Sequence, residues 1–231
     1  DACLGDLMKL EATTADYLQQ SVPGFDMEAP HYWANNVLAD GVTAADLTVS
    51  EPALIGWLHT LEAISQLCMA SARYRAAANY ARRVLKAEGY PTRAAGTVLL
   101  ALARLEDEDG FFALAHQLEE QVGADALENS PWYLLARTIL LFKTNKMRPA
   151  VRALREFANR CEGGAFFLLN PMYQTPYLPC RPEPRDPWDL SHQAVWEADG
   201  IISDTPDFAP WANACEDVSQ LAQEFARRYG F

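Results

Sequence analysis

The fold is decided by residues 61–91, LEAISQLCMASARYRAAANYARRVLKAEGYP. Apolar or small side chains recur there with the period of an α-helix, at Leu61, Ile64, Leu67 and Cys68. A second stripe follows Tyr74 almost at once and consists of Ala77, Ala81, Val84 and Leu85. Small residues allow helices to approach closely, so the stretch predicts two antiparallel helices with Ala77 at their crossing.

The same pattern returns twice downstream. Residues 97–123 predict a first helix with Leu99, Leu102 and Leu105 and a second helix with Phe112, Ala115, Leu118 and Val122. Residues 130–161 predict a third hairpin, with Ser130 as N-cap, Pro131 at the first helical position and a second helix that begins again at Pro149. Matching Tyr74 to Phe112 gives a period of 38 residues, and matching Phe112 to Met147 gives 35. A repeat with this period predicts stacked helix hairpins.

These copies resemble the tetratricopeptide repeat, a helix hairpin of about 34 residues. The matching positions are Tyr74, Ala77, Val84, Leu85, Leu99, Leu102, Phe112, Ala115, Trp132, Leu135 and Ala136. The chain departs from the pattern where Ser65, Ala103 or Ala136 stands for the signature glycine, so the repeat is degenerate. The resemblance covers roughly residues 54–161. It implies an all-α fold of antiparallel hairpins stacked as a solenoid, and an irregular helical bundle is the alternative.

The whole chain, 1–231, is predicted to be a single helical-repeat domain. Capping helices occupy 1–53, three hairpins 54–161, a proline-rich strap 162–188 and closing helices 189–231. The N-terminal part predicts a helix over 3–20 and a short one within 30–39. At the other end, residues 206–230 predict one helix with an apolar stripe at Trp211, Ala214, Cys215, Val218, Leu221, Ala222 and Phe225.

The strap has prolines at positions 171, 176, 179, 182, 184 and 187, which predict an extended conformation. We expect Tyr177 and Trp188 to anchor it on the helices, and the alternative is a displayed ligand for a partner domain. The order Trp132-Tyr133, Asn170-Pro171, Pro176-Tyr177-Leu178, Ala194, Glu197 and Trp211 resembles the end of bacterial proteins related to the suppressor of tumorigenicity 7 family, over about 80 residues. Members of that group are thought to be tetratricopeptide-like.

The composition of the chain indicates which kinds of partner and which cellular setting are favoured. The net charge of -12 disfavours nucleic acid and anionic lipid and favours a basic or neutral partner. The five cysteines are widely spaced and include no C-x-x-C pair, which predicts a reducing, cytoplasmic setting without a zinc module. No stretch reaches the roughly 20 apolar residues of a membrane span.

Chemical motifs do not emerge from the sequence. The four histidines lie far apart, and only Asp189 and His192 place a carboxylate one helical turn from a histidine, which predicts a capping Asp beside an exposed His. Cys161, Cys180 and His192 have no ligand spacing, so lone cysteines are interpreted as small apolar packing residues. We therefore expect neither a cofactor nor a metal, and no enzyme activity.

In a tetratricopeptide-like array the first helices line the concave groove. Side chains expected there, called the predicted column, are His59, Glu62, Gln66, Arg104, Tyr133 and Arg137. They predict a non-catalytic scaffold that holds another protein or peptide through charge-assisted hydrogen bonds, unless they pair with internal acids or the strap covers them. The alternatives are a small-ligand protein or enzyme with a pocket between the strap and Trp188, Trp196 and Trp211, or a subunit of a homo-oligomeric assembly.

Overall fold

The computed structural model describes residues 2–30, 52–87, 90, 92–175 and 184–231. The predicted short helix within 30–39 and residues 176–183 of the strap, with Tyr177, lie outside the described residues except for Pro30. The described elements are α1 (Ala2–Ser21), α2 (Pro52–Ala70), α3 (Tyr74–Leu85), α4 (Ala94–Leu105), α5 (Glu108–Val122), α6 (Ala124–Glu128), α7 (Pro131–Lys143), α8 (Met147–Arg160), α9 (Gly164–Leu169), a 3-10 turn (Pro171–Tyr173), α10 (Asp189–Ser203), α11 (Phe208–Asn213) and α12 (Glu216–Tyr229). These ranges contain no strand, which confirms the all-α prediction.

The chain divides into two compact units, an N-terminal unit (Asp1–Val98) and a C-terminal unit (Leu99–Phe231). In the N-terminal unit α2 packs on both α1 and α3. In the C-terminal unit α7 and α8 form a hairpin, α10 packs on α7, and α9 packs on α12. Within each unit the packing of neighbouring helices is consistent with a solenoid-like arrangement.

The same turn ends the first helix of each predicted hairpin. Ala72, Glu106 and Asn145 have φ angles of 57°, 59° and 59°, in the left-handed region. The N–H of each following residue donates to a carbonyl five residues earlier, in the pairs Arg73 to Cys68 (2.7 Å), Asp107 to Leu102 (3.1 Å) and Lys146 to Leu141 (2.8 Å). This is the hydrogen bond of a Schellman turn, which satisfies carbonyls at the end of a helix.

The turns give the register of the second helices. The turn residues are 34 and 39 residues apart, so Tyr74 corresponds to Glu108 and Met147, each the first residue of its helix. Counted from the turn, the same three positions are buried in every second helix: Ala77, Ala81 and Val84; Phe111, Ala115 and Leu118; Ala150, Leu154 and Phe157. The hairpins therefore share one structural pattern with two different spacings.

This register corrects the predicted stripe of α5. Phe112 and Val122 are 44% and 58% exposed, whereas Phe111 is fully buried. The match of Tyr74 to Phe112 placed the repeat four residues too late, because the turn at Glu106 starts α5 at Glu108. The prediction that α8 begins at Pro149 was also late, by two residues.

The alanine predicted at the first crossing is buried where α2 and α3 meet. Ala77 is inaccessible to solvent, and its carbonyl oxygen accepts a hydrogen bond of 3.0 Å from the Ser65 hydroxyl on α2. Ser65 stands where the repeat signature has glycine. A small hydroxyl side chain thus joins the two helices by a buried hydrogen bond.

Two predictions about the C-terminal unit were wrong in detail. The predicted helix over 206–230 is two helices, α11 and α12, because Cys215 is extended (φ -81°, ψ 102°). Ala214, expected in the stripe, is exposed. The strap region begins with a helix, α9, and a 3-10 turn rather than with extended chain. Pro171 fits there as the first residue of the turn, where its missing N–H leaves no hydrogen bond unmade.

Candidate functional site

The N-terminal part of the predicted column is held within its own unit. The Glu62 carboxylate accepts hydrogen bonds from the hydroxyls of Tyr90, at 3.0 Å, and Thr92. The His59 ring lies 6.2 Å from the Tyr90 ring, and Gln66 is half-buried. Glu62 therefore has two hydroxyl donors, and a ligand cation would compete with them.

The C-terminal part is paired in the same way. Arg104 lies 3.5 Å from the Asp204 carboxylate, and Arg137 donates to the Glu156 carboxylate at 2.9 Å. The Tyr133 ring stacks on Phe111 with centroids 6.0 Å apart, and burial raises the pKa of its phenol while the Arg137 charge acts in the opposite direction. The two halves of the column belong to different units, so a single continuous column stays a prediction.

The candidate site is a groove in the C-terminal unit. It runs between the end of α9 with the first strap residues and the α10–α11 corner, and its volume is about 550 Å³. Its lining residues, which define the α9–α11 groove, are Leu168, Leu169, Pro171, Gln174, Asp199, Ile202, Ser203, Pro206, Ala209, Pro210 and Asn213. Among the residues that the structure describes, the lining combines apolar side chains, two amides and a single ionisable group, the Asp199 carboxylate. Such a surface is suited to binding.

A second cavity, of about 350 Å³, lies between α8–α9 and α12. Three of its four charged lining residues are in ion pairs: Arg160 donates to Glu128, and Arg228 donates to Glu162, each at 2.9 Å, and Glu224 is the fourth. Neither this cavity nor the α9–α11 groove is lined by Trp188, Trp196 or Trp211, the tryptophans expected around a small-ligand pocket.

His192 was expected to be exposed, and this prediction was wrong. The side chain is only 3% exposed, and its ring lies 4.4 Å from the Phe167 ring. Its Nε2 accepts a hydrogen bond of 3.2 Å from the Thr175 backbone N–H, so His192 fixes the start of the strap to α10. The prediction that Asp189 caps the helix was also wrong: the N-cap of α10 is Trp188, which has no side-chain capping hydrogen bond, and the Asp189 Oδ2 instead accepts from the backbone N–H groups of Arg185 (2.7 Å) and Asp186 (3.1 Å), which precede the helix.

We expect His192 to make stability depend on pH. Burial lowers the pKa of its imidazole, against the opposing influence of Asp189 and of a backbone hydrogen bond with Tyr173. In the unfolded chain the imidazole titrates near 6.5. The unfolded state therefore takes up the proton first as the pH falls below about 6.5, and the free energy of unfolding decreases until the folded pKa is passed.

Urea unfolding at pH 7.5 and at pH 5.5 checks this prediction. The decrease in the free energy of unfolding from pH 7.5 to pH 5.5 should be smaller in His192→Gln than in the parent chain. His116 lies on the surface of α5 with its side chain 73% exposed, so His116→Gln is the matched control and should decrease like the parent. Equal decreases in all three chains would contradict the assignment.

Among the described cysteines, Cys161 is not an activated nucleophile. Cys161 is buried, and burial raises the pKa of its thiol to about 12, which disfavours the reactive thiolate. Cys180 lies outside the described residues. Within the described part of the chain, His, Cys, Asp and Glu do not gather in groups of three that could hold a metal ion. Of the helices described, none is both long enough and apolar enough to cross a membrane.

Two buried carboxylates were not predicted. Glu197 on α10 accepts a hydrogen bond of 2.8 Å from the indole N–H of Trp132, and Glu11 on α1 accepts one of the same length from Trp57. Glu11 also accepts from Arg83 at 2.6 Å. The partners are 65, 46 and 72 residues apart, so no local spacing indicates these pairs. They hold the helices of each unit together.

Comparison with protein-family models, with curated proteins and with solved structures finds no match for this chain. The resemblances to tetratricopeptide repeats and to the suppressor of tumorigenicity 7 family therefore stay predictions.

Proposed function

We propose that the chain is a non-catalytic binding scaffold that holds an extended segment of another protein in the α9–α11 groove. The observation that carries the proposal is the groove itself, with its volume of about 550 Å³ and its mixed lining. Ligand sites in proteins commonly have volumes of roughly 300–1,000 Å³ and a mostly apolar lining with a few polar groups.

The lining offers what an extended peptide needs. Leu169, Ile202 and Ala209 provide apolar surface for side chains, and Gln174 and Asn213 provide amides that can both donate to and accept from a peptide backbone. Prolines at three positions of the lining, Pro171, Pro206 and Pro210, restrict the backbone of both walls. A preformed wall lowers the entropy lost on binding.

The groove supports binding rather than catalysis. Acid–base and nucleophilic catalysis each need at least two cooperating groups, such as a nucleophile beside a base. Asp199 is the one ionisable side chain of the lining, and no histidine or cysteine lines the groove in the described chain. A single carboxylate among apolar and amide groups is better suited to recognition.

The predicted column is less favourable as the main site. Arg104 and Arg137 are already paired with Asp204 and Glu156, so an acidic segment would have to displace internal carboxylates. Each such half-exposed pair contributes little free energy. Exchanging an internal carboxylate for one of a ligand would therefore add little affinity. The proposal therefore places the partner in the α9–α11 groove.

A displayed library of random heptapeptides, selected on the full chain, tests the proposal. Fluorescence anisotropy then measures the affinity of a selected peptide for the parent, for Ala209→Arg, whose side chain should fill the groove, and for Ala113→Arg, on the exposed surface of α5. We expect Ala209→Arg to weaken binding at least tenfold and Ala113→Arg to leave it unchanged. Equal affinities for all three proteins, or no selected peptide, would contradict the proposal.

A further inference from the structure

We infer that the α9–α11 groove recognises a segment in which a lysine or arginine is flanked by apolar residues, and that the cation binds the Asp199 carboxylate. The inference rests on the proposed function and adds the chemistry of the partner. It is carried by the position of Asp199 and by the charge of the groove.

Asp199 differs from the other acids of the C-terminal unit. Six described acids there are buried or half-buried, and five have a partner within the unit: Glu108 with Lys146, Glu156 with Arg137, Glu162 with Arg228, Asp189 with the backbone of residues 185 and 186, and Glu197 with Trp132. Asp199 is the sixth. Among the described residues its carboxylate has neither a hydrogen-bond donor nor a cation, although it lines the groove.

A half-buried carboxylate without a partner favours a ligand cation. Removing the group from water costs free energy that an ion pair recovers, and the reduced dielectric of a groove strengthens the attraction. The charge of the lining is complementary to such a ligand, because the described lining residues include one acid and neither lysine nor arginine. The net charge of -12 adds a long-range attraction for basic segments.

The rest of the lining specifies the neighbours of that cation. Ile202 follows Asp199 by three residues on α10, so the two lie on the same side of that helix. Leu169 and Ala209 add apolar surface. A lysine or arginine that binds Asp199 thus has apolar walls for its own methylene stem and for the side chains on either side of it. A small polyamine has the charge but lacks the flanking apolar groups.

Peptides selected on the full chain provide the probes. We expect them to be enriched in lysine or arginine between apolar residues. Replacing that cation by norleucine, which keeps the stem and removes the charge, should weaken binding to the parent roughly ten- to hundredfold. Asp199→Asn should weaken binding of the unmodified peptide by a similar factor. For the norleucine peptide, Asp199→Asn should cause no further loss.

A control variant and the outcomes below make the test decisive. Asp125→Asn, an exposed acid-to-amide change on α6, should leave affinity unchanged. Peptides that bind in an Ala209-dependent way but equally well to Asp199→Asn would overturn this inference and leave the proposed function standing. Loss of Ala209 dependence, or the absence of any binder, would overturn both. Spermidine that displaces the peptide as effectively as an unlabelled copy of the peptide, at the same concentration, would also overturn the inference, because the apolar flanks would then contribute nothing.

Discussion

Adding one methyl group at Gly164 is expected to lower the free energy of unfolding by about 2 kcal/mol. A Cβ atom at this position would lie 2.7 Å from Cζ of Phe157 and 3.0 Å from its Cε1. Phe157 is itself fully buried as the last residue of the α8 stripe, so its ring has little room to move. Gly164→Ala therefore overpacks the junction between α8 and α9.

Gly163→Ala should cost more, roughly 3 kcal/mol, because two penalties add. Gly163 has a φ of +75°, a conformation that alanine adopts only with strain. Its Cβ would also lie 2.9 Å from Cζ of Phe225 and 3.0 Å from Cε2 of Phe167. The two adjacent glycines thus let α9 pack directly against aromatic rings of α8 and α12.

Two other glycines separate the two penalties. Gly230 has a φ of +77° in the same left-handed region as Gly163 but nothing within 4 Å of a Cβ, so Gly230→Ala should show strain alone, about 1 kcal/mol. Gly5 lies within α1 with nothing within 4 Å, so Gly5→Ala should raise stability by roughly 0.5–1 kcal/mol. Urea unfolding of the four variants checks the order. Equal losses at Gly163 and Gly230 would show that the contacts with Phe225 and Phe167 are not restrictive.

The periodicity of the sequence predicts the helices but not their register. The 3.6-residue period identifies α2 to α5, α7 and α8, yet it does not choose between the adjacent rings of Phe111 and Phe112. The choice depends on the turn at Glu106, and a glutamate is not a usual signal for a left-handed residue. Only Asn145, of the three turn residues, is a residue type that favours this conformation.

The candidate site was harder to predict because its parts are distant in the sequence. The two walls of the α9–α11 groove come from residues 168–174 and 199–213, and no motif connects them. Arg104 looked like a groove cation, but its partner Asp204 lies 100 residues later. His192 was interpreted from its spacing to Asp189, whereas its burial depends on Phe167 and Thr175. Local patterns report which groups exist, and tertiary packing decides which of them are already paired.

Replacing Trp132 by Phe is expected to lower the free energy of unfolding by roughly 2–3 kcal/mol. The change removes the indole N–H that donates to Glu197 at 2.8 Å, and both side chains are buried. A buried carboxylate that loses a donor bears a desolvation cost that its remaining contacts offset only in part. The smaller ring also leaves a gap between α7 and α10.

The second substitution Glu197→Leu should recover part of that loss. Leucine has a volume close to that of glutamate and needs no hydrogen bond, and replacing both members of a buried pair by apolar groups can be nearly neutral. Glu197→Leu alone leaves the Trp132 N–H without this acceptor and should also destabilise. The sum of the two single losses should therefore exceed the loss in the double variant by about 1–2 kcal/mol. This difference is the coupling energy that a double-mutant cycle measures.

Trp57→Phe in the N-terminal unit is the matched comparison. It removes the same type of hydrogen bond, also of 2.8 Å, but Glu11 keeps Arg83 at 2.6 Å. The remaining cation continues to neutralise the carboxylate, so we expect a loss about 1 kcal/mol smaller than in Trp132→Phe. Urea unfolding of the parent, the single variants and the double variant measures each of these changes in the free energy of unfolding. Additive losses at Trp132 and Glu197 would show that their hydrogen bond does not stabilise the contact between α7 and α10.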